Sequence, residues 1–201
     1  MSRIYAKDAA LLMIDHQVGL LSLVRDFSPA EFKNNVLAVA DIGRQYKLPT
    51  VLTTSFEKGP NGVLMPEVRE RFPEAAFIPR PGQINAWDNE DFVKAVKATG
   101  RKQLIMAGIV TEVCVAFPAL SALREGFEVF IVVDASGTFN EVTRNAALSR
   151  MVQAGAQLTT WFALASELQA DWRNNGDGLL KIYCDHLQEY NALTIAYNTG
   201  K

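Results

Sequence analysis

Cysteine is scarce in this chain: Cys114 and Cys184 are the only two among 201 residues. Two thiols do not make a disulfide framework for a domain of this size, and they fit a reducing compartment. A basic excess is also missing. Lysine and arginine number 20 against 22 acidic residues, so the formal net charge is -2 and there is no surplus of cations to displace counterions from a polyanion. Nucleic acid is therefore not an expected partner. No apolar run approaches the length of a membrane span, so no membrane partner is expected either. The first apolar run, Ala9 to Ile14, is too short and too poorly flanked to read as a secretory leader, and a cytoplasmic protein is the plain expectation. Internal repeats and low-complexity segments are absent.

What is present is an ordinary globular balance, 49% hydrophobic and 21% charged, enough to bury a core in one domain. Ala9 to Ile14 is continuously apolar rather than alternating, and so is Glu128 to Asp134 after its first residue. Such runs fit strands buried on both faces of a parallel sheet. Leu48 to Thr54, Gln103 to Ala107 and Gln157 to Trp161 complete five predicted strands. Between them lie helical patterns. Ser28 caps a helix from Pro29 to Tyr46, Asn89 caps one from Glu90 to Thr99, and others cover about Glu112 to Arg124, Glu141 to Ala154 and Ala163 to Trp172. Strands alternating with helices predict an α/β fold with right-handed crossovers. The segment from Ser55 to Gly82 breaks the rhythm with Gly59-Pro60-Asn61-Gly62 and four further prolines, and reads as a functional loop or a surface excursion with a short helix near Pro66 to Phe72.

The stretch Gly108-Ile109-Val110-Thr111-Glu112-Val113-Cys114-Val115 carries the chemistry. A strand leading into a turn and a helix that opens at a cysteine puts sulfur at the carboxyl edge of the sheet, where open parallel sheets bind ligands. A helix N-terminus favours anions, so the thiol is expected to have a lowered pKa and to act as a nucleophile. A buried inert cysteine is the other reading of the same residue. Asp15 ends the first strand, and Arg80 is held stiff in Ile78-Pro79-Arg80-Pro81-Gly82. If the three meet, a carboxylate can take the thiol proton while a guanidinium orients the carboxylate.

With the motif around Cys114 and the strand-end Leu12-Met13-Ile14-Asp15-His16-Gln17, the chain resembles the isochorismatase-like family of cysteine hydrolases. Thr53-Thr54-Ser55-Phe56-Glu57, Arg80-Pro81-Gly82-Gln83-Ile84-Asn85-Ala86-Trp87-Asp88 and Asp134-Ala135-Ser136-Gly137-Thr138-Phe139-Asn140 extend the resemblance over essentially the whole length. The resemblance implies a three-layer α/β/α sandwich around a parallel, doubly wound sheet. It implies a catalytic set of Asp15 as general base, Cys114 as nucleophile and Arg80 as the basic member, where most of the family has lysine. It implies a cis peptide between Val110 and Thr111 that turns backbone N–H groups of Thr111 and Cys114 toward an oxyanion. Metal-dependent members carry Asp and His around an aromatic after the second strand; here Ser55-Phe56-Glu57 stands there, with no histidine between His16 and His186. No catalytic metal and no cofactor are therefore expected. His16 is expected to point away from Asp15, since side chains alternate at a strand end.

The expected substrate is a small carbon–nitrogen compound, an amide or carbamoyl, with Gln17 and Phe56 lining its pocket. A redox-responsive thiol protein and an assembly without hydrolytic activity are the alternatives. Residues 1–173 are read as the hydrolase domain. Residues 174–201 are read as a C-terminal extension whose Ile182, Tyr183, Leu187, Tyr190, Leu193, Ile195 and Tyr197 must pack on the chain's own surface or on a neighbouring subunit. The resemblance implies self-association, to a homo-octamer.

Overall fold

In the computed structural model, residues 3–200 are described. Strands β1 (Ala9–Ile14), β2 (Thr50–Ser55), β3 (Ala76–Arg80), β4 (Gln103–Gly108), β5 (Glu128–Val132) and β6 (Gln157–Thr159) form one parallel sheet in the order β3-β2-β1-β4-β5-β6. The winding reverses between β1 and β4. That is the point where a crevice opens at the carboxyl ends of the strands.

Helices α1 (Pro29–Gln45), α2 (Pro66–Arg71), α3 (Glu90–Ala98), α4 (Ala116–Arg124), α5 (Glu141–Gln153), α6 (Trp161–Gln169), α7 (Asp177–His186) and α8 (Gln188–Thr199) flank the sheet. The period of two along β1 divides them into layers. Leu11 and Met13 pack into one core with Phe32, Val36 and Ile42 of α1 and Leu164 of α6. Leu12 and Ile14 pack into the other with Phe92 and Val96 of α3, Ala116 and Ala119 of α4 and Met151 of α5. Each fully buried aliphatic side chain contributes about 1.5–3 kcal/mol of transfer free energy. The sandwich follows from strands apolar on both faces. Caps behave as their side chains dictate: Ser28 Oγ accepts from Glu31 N at 3.2 Å and Asn89 Oδ1 from Phe92 N at 3.0 Å.

Three expectations give way. The Ser55 to Gly82 segment is not all loop, because it contains β3. This is an edge strand paired with β2 from Val51↔Ala76 to Ser55↔Arg80, and an edge is where a strand tolerates a proline such as Pro79. The helix expected from Glu112 begins instead with a π-helical turn, Thr111–Val115, before α4. The third concerns the extension. Leu179, Ile182 and Tyr183 of α7 belong to the same buried core as α1 and α6. Tyr183 stacks on Phe162 with ring centroids 4.1 Å apart and shares a 2.6 Å hydrogen bond with Ser166. His186 Nε2 lies 3.0 Å from Asp41 Oδ2, and Asn34 Nδ2 donates to the His186 carbonyl at 2.9 Å. Residue 174 is therefore not a boundary of the core. The peripheral layer is α8, which has no buried residue and exposes Leu193, Ile195 and Tyr197.

Candidate active site

Asp15 directly follows β1. Its backbone takes the left-handed conformation, φ 57°, while its N–H still donates to Thr53 O at 2.9 Å, extending the β1–β2 ladder by one step. Arg80 is the last residue of β3 and is only 1% exposed. Its guanidinium grips Asp15 with both terminal nitrogens, Nη1 to Oδ1 and Nη2 to Oδ2, each at 2.9 Å. Nη1 also donates to Thr53 Oγ1 at 2.8 Å and Nε to the Gln83 carbonyl at 3.1 Å. Both side chains are fully shielded from solvent. A lone buried charge is very costly, and a bidentate pair with its remaining donors satisfied is the arrangement that tolerates burial.

Cys114 completes the set. Gly108 at the end of β4 lies in register with Ile14, so the turn after β4 faces the turn after β1. A Cβ on Gly108 would collide with the Ile14 carbonyl oxygen, so only glycine allows that approach. The half-buried Cys114 thiol lies beside the Asp15 carboxylate, near enough for each to shift the titration of the other. The structure thus brings Asp15, Arg80 and Cys114 together. Burial, then the adjacent Asp15 charge and its hydrogen bond, push the Cys114 pKa well up, against the pull of Arg80 and a Val110 backbone hydrogen bond. This reverses the expected lowering. The reason is local geometry: the N–H groups of Val113, Cys114 and Val115 all turn to the Val110 carbonyl, at 3.2, 2.9 and 3.3 Å, so the helix-start donors are not offered to the sulfur. Burial likewise raises Asp15, with Arg80 and the Cys114 thiol drawing it back.

The oxyanion expectation is also corrected. The cis peptide lies between Ile109 and Val110, one residue earlier than expected. The Thr111 N–H donates to Gly137 O at 3.0 Å and the Cys114 N–H to Val110 O, so neither is free. The Thr111 hydroxyl is buried and has no partner among the described residues. His16 turns to the other side. Its Nε2 donates to Ala135 O at 3.1 Å, its ring stacks on Phe32, and burial lowers its pKa to about 4.

Gln17, expected at the pocket wall, hydrogen-bonds to the loop after β2. It is fully buried and ties down the loop after β2: Oε1 accepts from Ser55 N at 2.7 Å, while Nε2 donates to the Ser55 and Gly62 carbonyls. Gln17 is a positioning residue. Phe56 is half exposed and, with Glu57, Lys58, Pro79, Arg80 and Pro81, borders an open hollow of about 450 Å³. Thr53 escaped the sequence reading. The signal was faint, a threonine at the carboxyl end of an apolar strand, and its contact with Arg80 spans 27 residues. Among the described residues no cluster of three or more His, Cys, Asp or Glu side chains is placed to hold a metal ion.

Fold and site together define a class: an α/β-sandwich hydrolase with a thiol at the carboxyl edge of its parallel sheet. The chain belongs to the isochorismatase family, whose domain model matches residues 9–162 and whose members are hydrolases. It is 63% identical over 197 residues to the probable hydrolase YcaC of Escherichia coli (strain K12), covering 98% of this chain and 95% of that protein. The crystal structure of the Escherichia coli protein, described as an octameric hydrolase of unknown specificity, matches with a TM-score of 0.99 at 62% identity, covering 100% of this chain and 98% of that one. YcaC from Pseudomonas aeruginosa, solved with hexane-2,5-diol and covalent acrylamide, matches with a TM-score of 0.97 at 65% identity over 98% of each chain.

Proposed function

We propose that this chain hydrolyses a small carbon–nitrogen substrate, an amide or carbamoyl compound, through a covalent intermediate on Cys114. The observation that carries the reading is the buried Arg80–Asp15 pair with the Cys114 thiol beside its carboxylate. At rest Arg80 favours ionised Asp15, and Cys114 keeps its proton. When a carbonyl carbon reaches the sulfur, the S–C bond forms as the thiol proton passes to Asp15. The Val110 N–H, which bears on the sulfur, and the buried Thr111 hydroxyl, which has no partner among the described residues, are the motif donors available to the resulting oxyanion. The C–N bond then breaks, and Asp15 returns the proton to the departing nitrogen, leaving a thioester or thiocarbamate. Water adds to that carbon, giving its proton to Asp15, and the C–S bond breaks as the sulfur is reprotonated. Arg80 stays charged throughout and holds Asp15 in position. These steps call on no metal or cofactor.

The Pseudomonas aeruginosa relative was solved with covalent acrylamide; acrylamide adds to nucleophiles through its alkene carbon and keeps its amide, so the adduct supports a reactive nucleophile in that relative and not a particular substrate class. The redox-responsive alternative is separated by peroxide titration of Cys114 against Cys184: fast, reversible, selective oxidation without amidase activity would favour it. A panel of small amides and ureides screened for ammonia release tests the reading. Cys114→Ala is expected to lower turnover of the active compound by roughly 10³-fold or more; full turnover by that variant would sink the proposal. We also read the chain as a homo-oligomer, an octamer on the pattern of the Escherichia coli protein, with the exposed apolar face of α8 among its contacts.

A further inference from the structure

We infer that the site selects uncharged substrates and turns away those bearing a carboxylate or other anion close to the scissile bond. The inference rests on the reading of Cys114 as a nucleophile and narrows its substrate class.

It comes from counting unspent charge. The cation that acts on the sulfur, Arg80, is already neutralised by Asp15 in a fully buried bidentate pair. Of the five N–H donors of a guanidinium, four are taken, by Asp15 twice, Thr53 and Gln83. The remaining N–H and the unpartnered Thr111 hydroxyl suit a neutral carbonyl oxygen. Neither brings a net positive charge to balance a buried carboxylate, which would then be desolvated without a counter-ion. Backbone donors there are few: the Val113, Cys114 and Val115 N–H groups are used by the Val110 carbonyl and the Thr111 N–H by Gly137, which leaves the Val110 N–H beside the sulfur, a dipole without net charge.

The surroundings lean the same way. Behind the cysteine motif, Thr138 donates through Oγ1 to Glu112 at 2.6 Å and through its N–H to Asp26 at 2.9 Å. Arg144 stands against that pair, 3.6 Å from Asp26, and is shared with Glu141 at 3.5 Å. His16 faces Ala135 and is held neutral by burial. At the rim, Lys58 is solvent-exposed and stands next to Glu57. A hydrated ammonium there cannot follow an anion to the sulfur.

Iodoacetamide and iodoacetate test this directly. Both alkylate a thiol by displacing iodide, and they differ chiefly in one negative charge. Labelling of Cys114 in the native full-length protein is followed by peptide mass spectrometry, with the urea-unfolded chain giving the intrinsic ratio of the two reagents. Native Cys114 is expected to favour iodoacetamide by about tenfold or more beyond that ratio, the equivalent of roughly 1.4 kcal/mol. Asp15→Asn leaves the guanidinium without its counter-charge, so the preference should shrink or reverse toward iodoacetate. An unshifted native ratio, a preference unchanged in Asp15→Asn, or no labelling of Cys114 by either reagent would overturn the inference. If that variant does not fold, the native ratio alone decides. Because alkylation needs no turnover, a retained charge preference without ammonia release would count against the hydrolase reading and leave the selection standing.

Discussion

The carboxyl edge of the sheet and the C-terminal helices are built on opposite principles. At the edge, polar and charged side chains are fully buried and tied together by contacts remote in sequence: Asp15 with Arg80, Arg80 with Thr53, Gln17 with Ser55. In the C-terminal helices much of the contact is aromatic, with the His186 bonds to Asn34 and Asp41 tying α7 to α1. Tyr183 meets Phe162, Trp161 and Tyr190, and α8 leaves its apolar side chains in the open. A buried charged pair needs both partners and every donor satisfied, so the edge has little tolerance for change. Apolar packing is additive and forgiving, so the C-terminal end can lose contacts in graded steps. Activity should therefore track the first region and stability or assembly the second.

The sharpest way to break that division is Asp15→Asn. Loss of the base is expected to lower turnover by about 10²- to 10⁴-fold. Stranding Arg80 is expected to cost roughly 3–5 kcal/mol of stability, measured by urea unfolding. A variant as stable as the parent would show that the pair is not the buried unit described above. Next comes Tyr183→Ala, which removes a core aromatic from α7 and should destabilise the protein by roughly 3–5 kcal/mol in the same assay. Turnover per folded molecule should hold; a collapse of turnover in fully folded protein would mean the two regions are coupled.

A smaller effect concerns pH. His16 has its pKa lowered to about 4 from 6.5, so the folded state prefers it neutral. Its contribution is present in full above pH 6.5 and is lost as the pH falls toward 4. Asp134, raised to about 6 by burial, acts in the opposite sense, favouring the fold at low pH and losing that contribution as pH rises from 3.8 through about 6. His16→Gln should therefore remove the destabilising limb on acidification, read as the difference between two urea-unfolding series; parallel curves would contradict the assignment. The smallest expected effect on the fold is that of Leu193→Ser with Tyr197→Ser on the open face of α8. Stability should change by within about 0.5 kcal/mol per exposed site. Light scattering is expected to show a smaller assembly, and an unchanged mass would remove α8 from the contacts.

Local chemistry is legible in a sequence when its cause is local. The apolar run of β1, the Ser28 and Asn89 caps and the placement of Asp15 and Cys114 at strand ends all follow from patterns a few residues long. β3 was not legible, because Ala76-Phe77-Ile78-Pro79-Arg80 carries a proline that only an edge position excuses, and edge position is a property of the finished sheet. The lowered thiol pKa failed for a related reason. The helix-dipole argument assumed free N–H groups at the helix start, but the π-helical turn uses them on Val110, burial disfavours the thiolate, and the Asp15 charge from another strand outweighs that of Arg80.

The sequence by itself therefore determined the strand and helix alternation, the doubly wound α/β class, and which residue types stand at the carboxyl edge. Tertiary structure alone decided that Arg80 commits four donors to Asp15, Thr53 and Gln83, that Gln17 braces the loop after β2, and that α7 belongs to the core while α8 has no buried residue. The physical reason is range. Propensity and periodicity act over a turn or a strand, whereas burial, hydrogen-bond satisfaction and charge pairing depend on which distant segments the closed sheet brings within a few ångströms.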